Sequence, residues 1–343
     1  MNDLRNILED AVLKIFQDHL GWEELTKIEQ EGWPAPLWQQ IDEQGIPSMM
    51  GSESQGGIEA TWRDAYPVLR ACGRYSVPLP VVESIICSYL GRQAGIDLPQ
   101  GVPGLIEEPI TLLNDCAVLE NVTVPWGRAA NWLLGMANNE LVLLSCDGLS
   151  INHIDNIGHD ARDQINGKAN VIAKQTLGGV SQIIHYLGAL GRSAQIAGGA
   201  AGALDLAVQY TADREQFGRP LAKFQAVQHQ LADLGGLVAS VDAMTIAACE
   251  SLDRRGFVSN ERDSLFEIAA AKCRASEAVE KITRLSHQVH GAIGFTYEYG
   301  LHFITRRLWA WRTEFGSSAK WGGFLGDMAV QKGGDGIWPL ITD

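Results

Sequence analysis

Three long helix-type stretches follow one another in the C-terminal half of the chain, and they constrain the fold more than any other feature. From Gly178 to about Arg214, apolar residues recur every three or four positions, which predicts a helix of roughly 50 Å at 1.5 Å per residue. The same periodicity continues over about 221–253 and about 261–290. Long antiparallel helices joined by short connections predict a four-helix bundle.

The first of these helices is rich in glycine, which is costly in a helix interior. Each glycine lowers helix stability by about 1 kcal/mol relative to alanine. A helix that carries this cost usually gains close packing against its neighbours, so these positions predict helix–helix contacts. They are Gly188, Gly191, Gly198, Gly199 and Gly202.

The rest of the chain divides into two regions, one with the sequence pattern of helices and one with the pattern of short strands. Residues 1–103 show helical periodicity and predict an α-helical N-terminal domain. Residues 104–175 contain short β-type runs separated by Asn, Asp and Gly, including an expected hairpin turn at Asn166-Gly167, and predict a small, truncated β-rich domain. Residues 176–343 form the bundle. The predicted fold class is therefore mainly α, in three domains.

Charge and cysteine usage exclude several function classes. Lys and Arg number 27 and Asp and Glu number 41, a formal net charge of −14, so neither a nucleic-acid partner nor an anionic membrane surface is expected. No apolar run approaches the roughly 20 residues that cross a bilayer, and no signal peptide is expected. Six scattered cysteines without a CxxC pair predict a reducing cytoplasm and no zinc site. His287 and His290 lack a third ligand at matching spacing, so no metal is expected.

The first segment with chemical content runs from Asp213 to Pro220 and continues to Gln225, between two long helices. A guanidinium such as that of Arg214 can bind a phosphate in a bidentate manner, which a lysine cannot match. Gly218 and Pro220 end one helix and redirect the chain. Taken alone, the segment is also explained by an ordinary helix corner with a surface arginine.

The second segment is Gln288-Val289-His290-Gly291-Ala292-Ile293-Gly294-Phe295-Thr296, at the end of a long helix. Its two glycines, three positions apart, let the backbone approach a ligand closely. By itself, a plain helix C-terminus explains it equally well.

Together, in this order and about 75 residues apart, the two segments resemble the acyl-CoA dehydrogenase family of flavoproteins. In that family, an R-x-x-F-G-x-P…F-Q segment and a Q-x-x-G-G-x-G loop bind FAD across a subunit interface. The resemblance extends to the N-terminal region and to Val124-Pro125. It implies a helical N-terminal domain, a small β domain and a C-terminal four-helix bundle.

The resemblance also implies a role for individual residues. Arg214 would contact the FAD pyrophosphate, Phe217 would pack beside the flavin nucleotide, and Gln225 would be another cofactor contact. Four residues would line the adenosine part: Gln288, Val289, Gly291 and Gly294. Ala292 stands where the family pattern has its second glycine, which still leaves a small residue.

The sequence departs from the family pattern at the catalytic base. The family removes the α-proton of an acyl-CoA thioester with a Glu carboxylate while a hydride passes to the flavin. One family position for this Glu, counted to the glycine after it, corresponds to Phe315 here, with Glu314 one residue away. The other, on the long helix about 26 residues before Arg214, corresponds to Gly188. Neither position holds a carboxylate, so no catalytic residue is assigned.

The flavin-ring motif of the family, T-E-x-x-x-G-S-D followed by W-I-T, is absent between residues 82 and 175. The chain is also short for the family. This pattern resembles the short subunits of heterotetrameric bacterial acyl-CoA dehydrogenases that act on bulky acyl-CoAs such as steroid side chains. The resemblance implies an α2β2 complex with a full-length paralogue, an FAD shared with that partner, and an electron-transfer flavoprotein as acceptor.

Two alternatives stay open at this stage. The chain can be a self-sufficient acyl-CoA dehydrogenase that uses Glu314 as the base. It can also be a scaffold or regulatory subunit without flavin contact. The acyl group cannot be read from the sequence.

Overall fold

The computed structural model describes residues 2–178, 182–257 and 264–342. Five helices form the N-terminal region: α1 Asn2–His19, α2 Trp22–Glu31, α3 Ala35–Glu43, α4 Trp62–Arg74 and α5 Val81–Ala94. The start of α4 is a capping box, in which the Thr61 hydroxyl accepts from the Asp64 backbone N–H and the Asp64 carboxylate accepts from the Thr61 N–H. The sequence pattern did not predict α2.

A seven-stranded sheet follows the helices. Its strands are β1 Pro103–Leu105, β2 Thr111–Leu113, β3 Cys116–Pro125, β4 Trp132–Ala137, β5 Glu140–Ser145, β6 Ser150–Asn152 and β7 Arg162–Thr176. The strand order is β1-β4-β5-β7-β3-β2, with β6 paired to β7. Only β1 and β4 run parallel. One face of this sheet encloses its own small apolar core.

The predicted hairpin turn at Asn166-Gly167 is wrong, because both residues lie inside the long strand β7. Asn166 pairs with Ser150 of β6, and its side-chain oxygen accepts a hydrogen bond from the Asn121 backbone N–H. The β3–β7 register shifts between Leu119 and Val122, so β3 bulges at this point. Asn166 and Gly167 therefore accommodate the bulge in β3, and the chain does not turn at this point.

The C-terminal region consists of α6 Ile183–Asp213, α7 Gln225–Arg255, α8 Leu265–His290, α9 Leu301–Trp311 and α10 Ser318–Thr342, which bends at Gly333. The first three lie side by side and enclose an apolar core, with α9 packed against α6 and α8. The predicted fold class, mainly α with a helical N-terminal region, a small sheet and a C-terminal bundle, is confirmed.

The five glycines of α6 pack against neighbouring elements, as predicted from the helix stability that each glycine costs. A Cβ atom at Gly198 would overlap the backbone carbonyl of Arg70 on α4, and a Cβ at Gly73 of α4 would overlap the carbonyl of Gln195 on α6. The two helices therefore touch backbone to backbone. This contact joins the N-terminal region to the bundle.

Helix α7 is long and apolar enough to cross a membrane by composition alone, with a mean hydropathy of 1.4 over 18 residues, of which 33% are buried. It lies in the bundle against α6 and α8. A core helix of a soluble protein passes the same test, so the observation is weak evidence for a membrane.

Candidate functional site

The two motif segments lie at the same end of the bundle. Because α6 and α8 run in one direction and α7 runs in the other, the end of α6, the start of α7 and the end of α8 come together. A direct contact joins them: the ring of Tyr210, in the last turn of α6, stacks on His290, with centroids 4.9 Å apart and planes at 24°. We call this region the motif end.

The first motif folds as a tight hairpin between α6 and α7. Strands β8 Glu215–Gln216 and β9 Arg219–Pro220 pair, and the two residues between them both have positive φ, 53° for Phe217 and 77° for Gly218. Positive φ at both central residues is typical of the type I′ turn, whose twist matches a two-stranded ribbon. The turn leaves the Phe217 ring 91% exposed.

The hairpin presents basic side chains to solvent on an otherwise acidic molecule. The backbone N–H of Arg214 donates to Tyr210 O and its carbonyl accepts from Leu221 N–H, so the start of the hairpin is held on both sides. Its side chain is exposed and forms no ion pair within the described part of the chain. Arg219 is exposed as well, and its guanidinium lies 4.2 Å from the ring centroid of Phe224. Gln225 begins α7 and is exposed.

The second motif ends α8. Gly291 has φ 64°, and its N–H closes the helix on His287 O. Gln288 and Gly291 are exposed at this end. Val289, by contrast, is 7% exposed and packs in the bundle core.

Gly294 is also buried, and a Cβ there would press on His290, His287 and Leu301. The structure thus brings five of the seven predicted contact residues to the surface of the motif end. The side chain of Val289 and the position of Gly294 support the loop from beneath.

A cleft of about 770 Å³ opens beside Gln288 and Gly291, between α8, α9 and Ile157 of the β region. Its wall carries aromatic side chains, including Phe295, which stacks on His287 at 4.3 Å. Four buried polar atoms of this wall have no hydrogen-bond partner among the residues that the structure describes. They are Thr283 Oγ1, His287 Nδ1, His302 Nε2 and Arg306 Nε. Unsatisfied buried polar groups are costly, so the cleft is suited to a ligand or surface with polar groups of its own.

The two positions counted as family sites for a catalytic carboxylate lie in contact. The ring of Phe315 occupies the space beside Gly188, so that a Cβ at Gly188 would overlap the ring. Phe315 is 7% exposed, has φ 52°, and its carbonyl accepts a hydrogen bond from Trp321 Nε1 at 2.9 Å. The interior at these positions is filled by an apolar ring.

Two guanidinium groups bind the Glu314 carboxylate and make it a poor general base. Its carboxylate accepts from Arg162 Nε and Nη2 at 3.0 and 2.9 Å, and from Arg192 Nε at 2.7 Å. Asn156 donates a further hydrogen bond at 2.9 Å. Although burial acts to raise the pKa of Glu314, the two guanidiniums lower it well below the ordinary value.

Arg192 also binds a second carboxylate in this interior. It is 1% exposed and also donates to Glu83 of α5 at 2.5 Å. Two arginines and two glutamates therefore form a neutral buried network. The network links α5, α6 and β7 with the turn after α9.

Comparison with known proteins shows what the chain is similar to. The model of the acyl-CoA dehydrogenase C-terminal domain matches residues 185–319. Acyl-CoA dehydrogenase IpdE2 of Mycolicibacterium smegmatis is 28% identical over 315 residues, covering 90% of this chain and 93% of that relative. Residues 185–319 thus form an acyl-CoA dehydrogenase C-terminal domain.

Solved structures share the fold of the whole chain. A variant of the Tcur3481-Tcur3483 steroid ACAD has a TM-score of 0.80 at 21% identity, covering 96% of this chain and 98% of that chain. The ChsE4-ChsE5 complex from Mycobacterium tuberculosis has a TM-score of 0.80 at 20% identity, covering 95% and 96%.

Acyl-CoA dehydrogenases depend on FAD, and the motif end fits part of that cofactor. An exposed, unpaired guanidinium at Arg214 suits a pyrophosphate, and the exposed Phe217 ring offers an apolar face. The amides of Gln225 and Gln288 and the backbone at Gly291 are accessible as hydrogen-bonding groups. Among the described residues, these five would be available to hold FAD.

Sequence reasoning missed several residues of the motif end. Arg219 lies within the first motif, and the two-residue turn at Phe217-Gly218 is the signal that places it beside the hairpin base. His290 was considered only as a metal ligand, although it stacks on Tyr210. The cleft residues Thr283, His302 and Arg306 carried no sequence signal, because their proximity depends on how α9 packs on α8.

Proposed function

We propose that this chain is the non-catalytic short subunit of an FAD-dependent acyl-CoA dehydrogenase complex. In this proposal it completes the FAD site of a full-length paralogue in an α2β2 assembly in the cytoplasm. FAD would supply the hydride acceptor, and the partner would supply the base. The three-domain division at 1–103, 104–175 and 176–343 is part of the proposal.

The observation that carries the proposal is the contact of Phe315 with Gly188. Both positions at which the family places its catalytic carboxylate lack one, and the ring fills the space between them. With this space filled by a ring, neither of the two positions offers a carboxylate that could take the α-proton of an acyl-CoA. The contribution of this chain to the reaction would then lie on its surface, away from Gly188 and Phe315.

The motif end supplies that contribution. Its Arg214, Phe217 and Gln288 side chains point outward on a chain whose β region lacks the family's flavin-ring motif. Exposed cofactor-binding groups without a cofactor pocket of their own favour a cofactor shared with another subunit. The names of the similar proteins support the same proposal, since one similar structure is a steroid ACAD and another is a two-protein complex. We therefore propose a bulky, steroid-derived acyl-CoA as substrate and an electron-transfer flavoprotein as acceptor.

The alternative with Glu314 as base is disfavoured by the electrostatics of that residue. A carboxylate whose pKa is lowered by Arg162 and Arg192 is a weaker base than a free one. Moving it toward a substrate would also break three charge-assisted hydrogen bonds in a mostly buried setting.

The test is co-expression with a full-length acyl-CoA dehydrogenase paralogue from the same genome, followed by purification and visible absorbance. We expect the chain alone to bind little FAD and to show no dehydrogenase activity, and the complex to be yellow and active. A yellow, active homo-oligomer of this chain would refute the proposal.

Two arginine substitutions in the same complex distinguish the proposed function from the scaffold alternative. Arg214→Ala is expected to lower FAD content while the complex still assembles. Arg254→Ala, at an exposed arginine near the opposite end of α7, is the matched control and should leave FAD content unchanged. Equal FAD content in both variants would favour a scaffold without flavin contact.

A further inference from the structure

We propose that Tyr210, His290 and Tyr299 form an aromatic cluster that positions the two cofactor motifs relative to each other. The inference rests on the proposed function of the motif end and adds residues that the motif pattern does not contain. All three are positioning residues, because the proposal gives them no contact with the cofactor and they act through the two motifs that they hold.

The three rings are in mutual contact. Tyr210 stacks on His290 at 4.9 Å and meets Tyr299 edge to face at 6.0 Å, and His290 lies 5.0 Å from Tyr299. His290 is 3% exposed, so its ring is enclosed between α6 and the loop before α9. Such stacked and edge-to-face pairs have a defined geometry, which a set of aliphatic side chains would not impose.

Hydrogen bonds fix the orientation of the central imidazole. His290 Nδ1 lies 2.6 Å from Ser286 O, and a carbonyl oxygen can only accept, so Nδ1 carries the proton and donates. Nε2 is left as an acceptor, 3.3 Å from the Tyr299 hydroxyl. Burial lowers the pKa of His290, which is consistent with a neutral ring.

The Tyr299 hydroxyl also reaches across to the first motif helix. It lies 3.4 Å from Leu206 O on α6. The single hydroxyl proton of Tyr299 can be donated to only one of these two acceptors at a time, so the hydroxyl lies between the imidazole at the end of α8 and the backbone of α6, one turn before Tyr210.

Each motif begins next to a member of the cluster. The Arg214 N–H donates to the carbonyl of Tyr210, and Gly291 directly follows His290. A shift of either ring moves the guanidinium and the glycine loop relative to each other. Because a cofactor bound by both motifs needs a fixed separation, loosening the cluster should weaken binding without removing any group that touches the cofactor.

The experiment measures FAD binding to the apo form of the co-expressed complex, together with its assembly and melting temperature. For Tyr210→Leu we expect an FAD Kd raised about tenfold, the scale set by loss of such ring pairs. Tyr210→Phe, which keeps the stack, should stay within about twofold of wild type. Wild-type affinity in Tyr210→Leu would overturn the inference, as would equal losses in the Leu and Phe variants.

A second variant keeps the inference testable if Tyr210→Leu fails to assemble. Tyr299→Phe removes only the hydroxyl between His290 and Leu206, and we expect about threefold weaker FAD binding with an unchanged melting temperature. An unchanged Kd would contradict the positioning role. Arg214→Ala in parallel separates the two proposals: if it also leaves FAD bound, the proposed function fails, and if it alone releases FAD, only the cluster inference fails.

Discussion

The ring of Phe315 fills the space that a side chain at Gly188 would need. The two residues are 127 positions apart in sequence, and the resemblance to acyl-CoA dehydrogenases aligns each with a position for the catalytic carboxylate. One position holds the smallest residue and the other an apolar ring. A packing contact therefore occupies the space between them, and the first prediction tests that contact.

Gly188→Ala should destabilise the protein by about 1–3 kcal/mol, because the added methyl group overlaps a buried ring. Urea unfolding measures the cost. In a Phe315→Ala background the same substitution should cost at least about 1 kcal/mol less, since the ring is gone. Equal costs in the two backgrounds would show that Phe315 does not limit the space at Gly188.

Glu314→Gln should destabilise the protein by about 3 kcal/mol at pH 7, because Arg162 and Arg192 lose a charged partner in a mostly buried setting. The effect should depend on pH. The folded-state pKa of Glu314 is lowered, so its contribution is complete above the ordinary value of 4.5 and is lost as the pH falls below it.

Unfolding of the wild type and of Glu314→Gln at pH 7 and near pH 4 checks this prediction. The difference between them should shrink at the lower pH. A difference that stays constant or grows on acidification would contradict a carboxylate stabilised by the two guanidiniums.

Arg214→Lys should weaken FAD binding by the co-expressed complex about tenfold, although the charge is retained. The reason is that an ammonium cannot form the bidentate contact that a guanidinium offers to a phosphate. Fluorescence titration of the apo complex measures the Kd. The matched change Arg254→Lys should have no effect, and a Kd unaffected by Arg214→Lys would exclude bidentate contact.

Gly198→Ala should destabilise the protein by about 3 kcal/mol, because its Cβ would overlap the backbone of Arg70 and neither helix can yield locally. Gly235→Ala on α7 is the control, since nothing lies within 4 Å of a Cβ there. That change should be neutral or stabilising by up to about 1 kcal/mol through helix propensity. Similar costs at both positions would contradict a role for the close α4–α6 approach.

Local pattern predicted the long elements well, and its failures have physical causes. Helix α2 begins after Gly21, which provides no side-chain cap, and among its residues only Leu25 is buried, so the usual signals of a helix start and of a buried face are few. Asn166-Gly167 has strong turn chemistry, but pairing with β6 and with the bulge in β3 overrides that local preference. At Asn166-Gly167, tertiary contacts outweigh the local signal.

The candidate site was predictable in part. The sequence placed each motif at the end of a long helix, and the order and direction of the three helices in the structure bring both motifs to one end of the bundle. The stack of Tyr210 on His290 and the unpartnered polar atoms of the cleft depend instead on the rotation of each helix about its axis. Periodicity does not determine that rotation to the accuracy of a ring contact.

The sequence by itself determined the helical bundle, the two motifs at helix ends, and the lack of a carboxylate at positions 188 and 315. Those features depend on residue identity and on spacing along a helix. Only the tertiary structure decided that these two positions touch, and that Glu314 is bound by arginines 152 and 122 residues away. Side-chain contacts over such separations arise from the packing of distant elements, so local sequence cannot specify them.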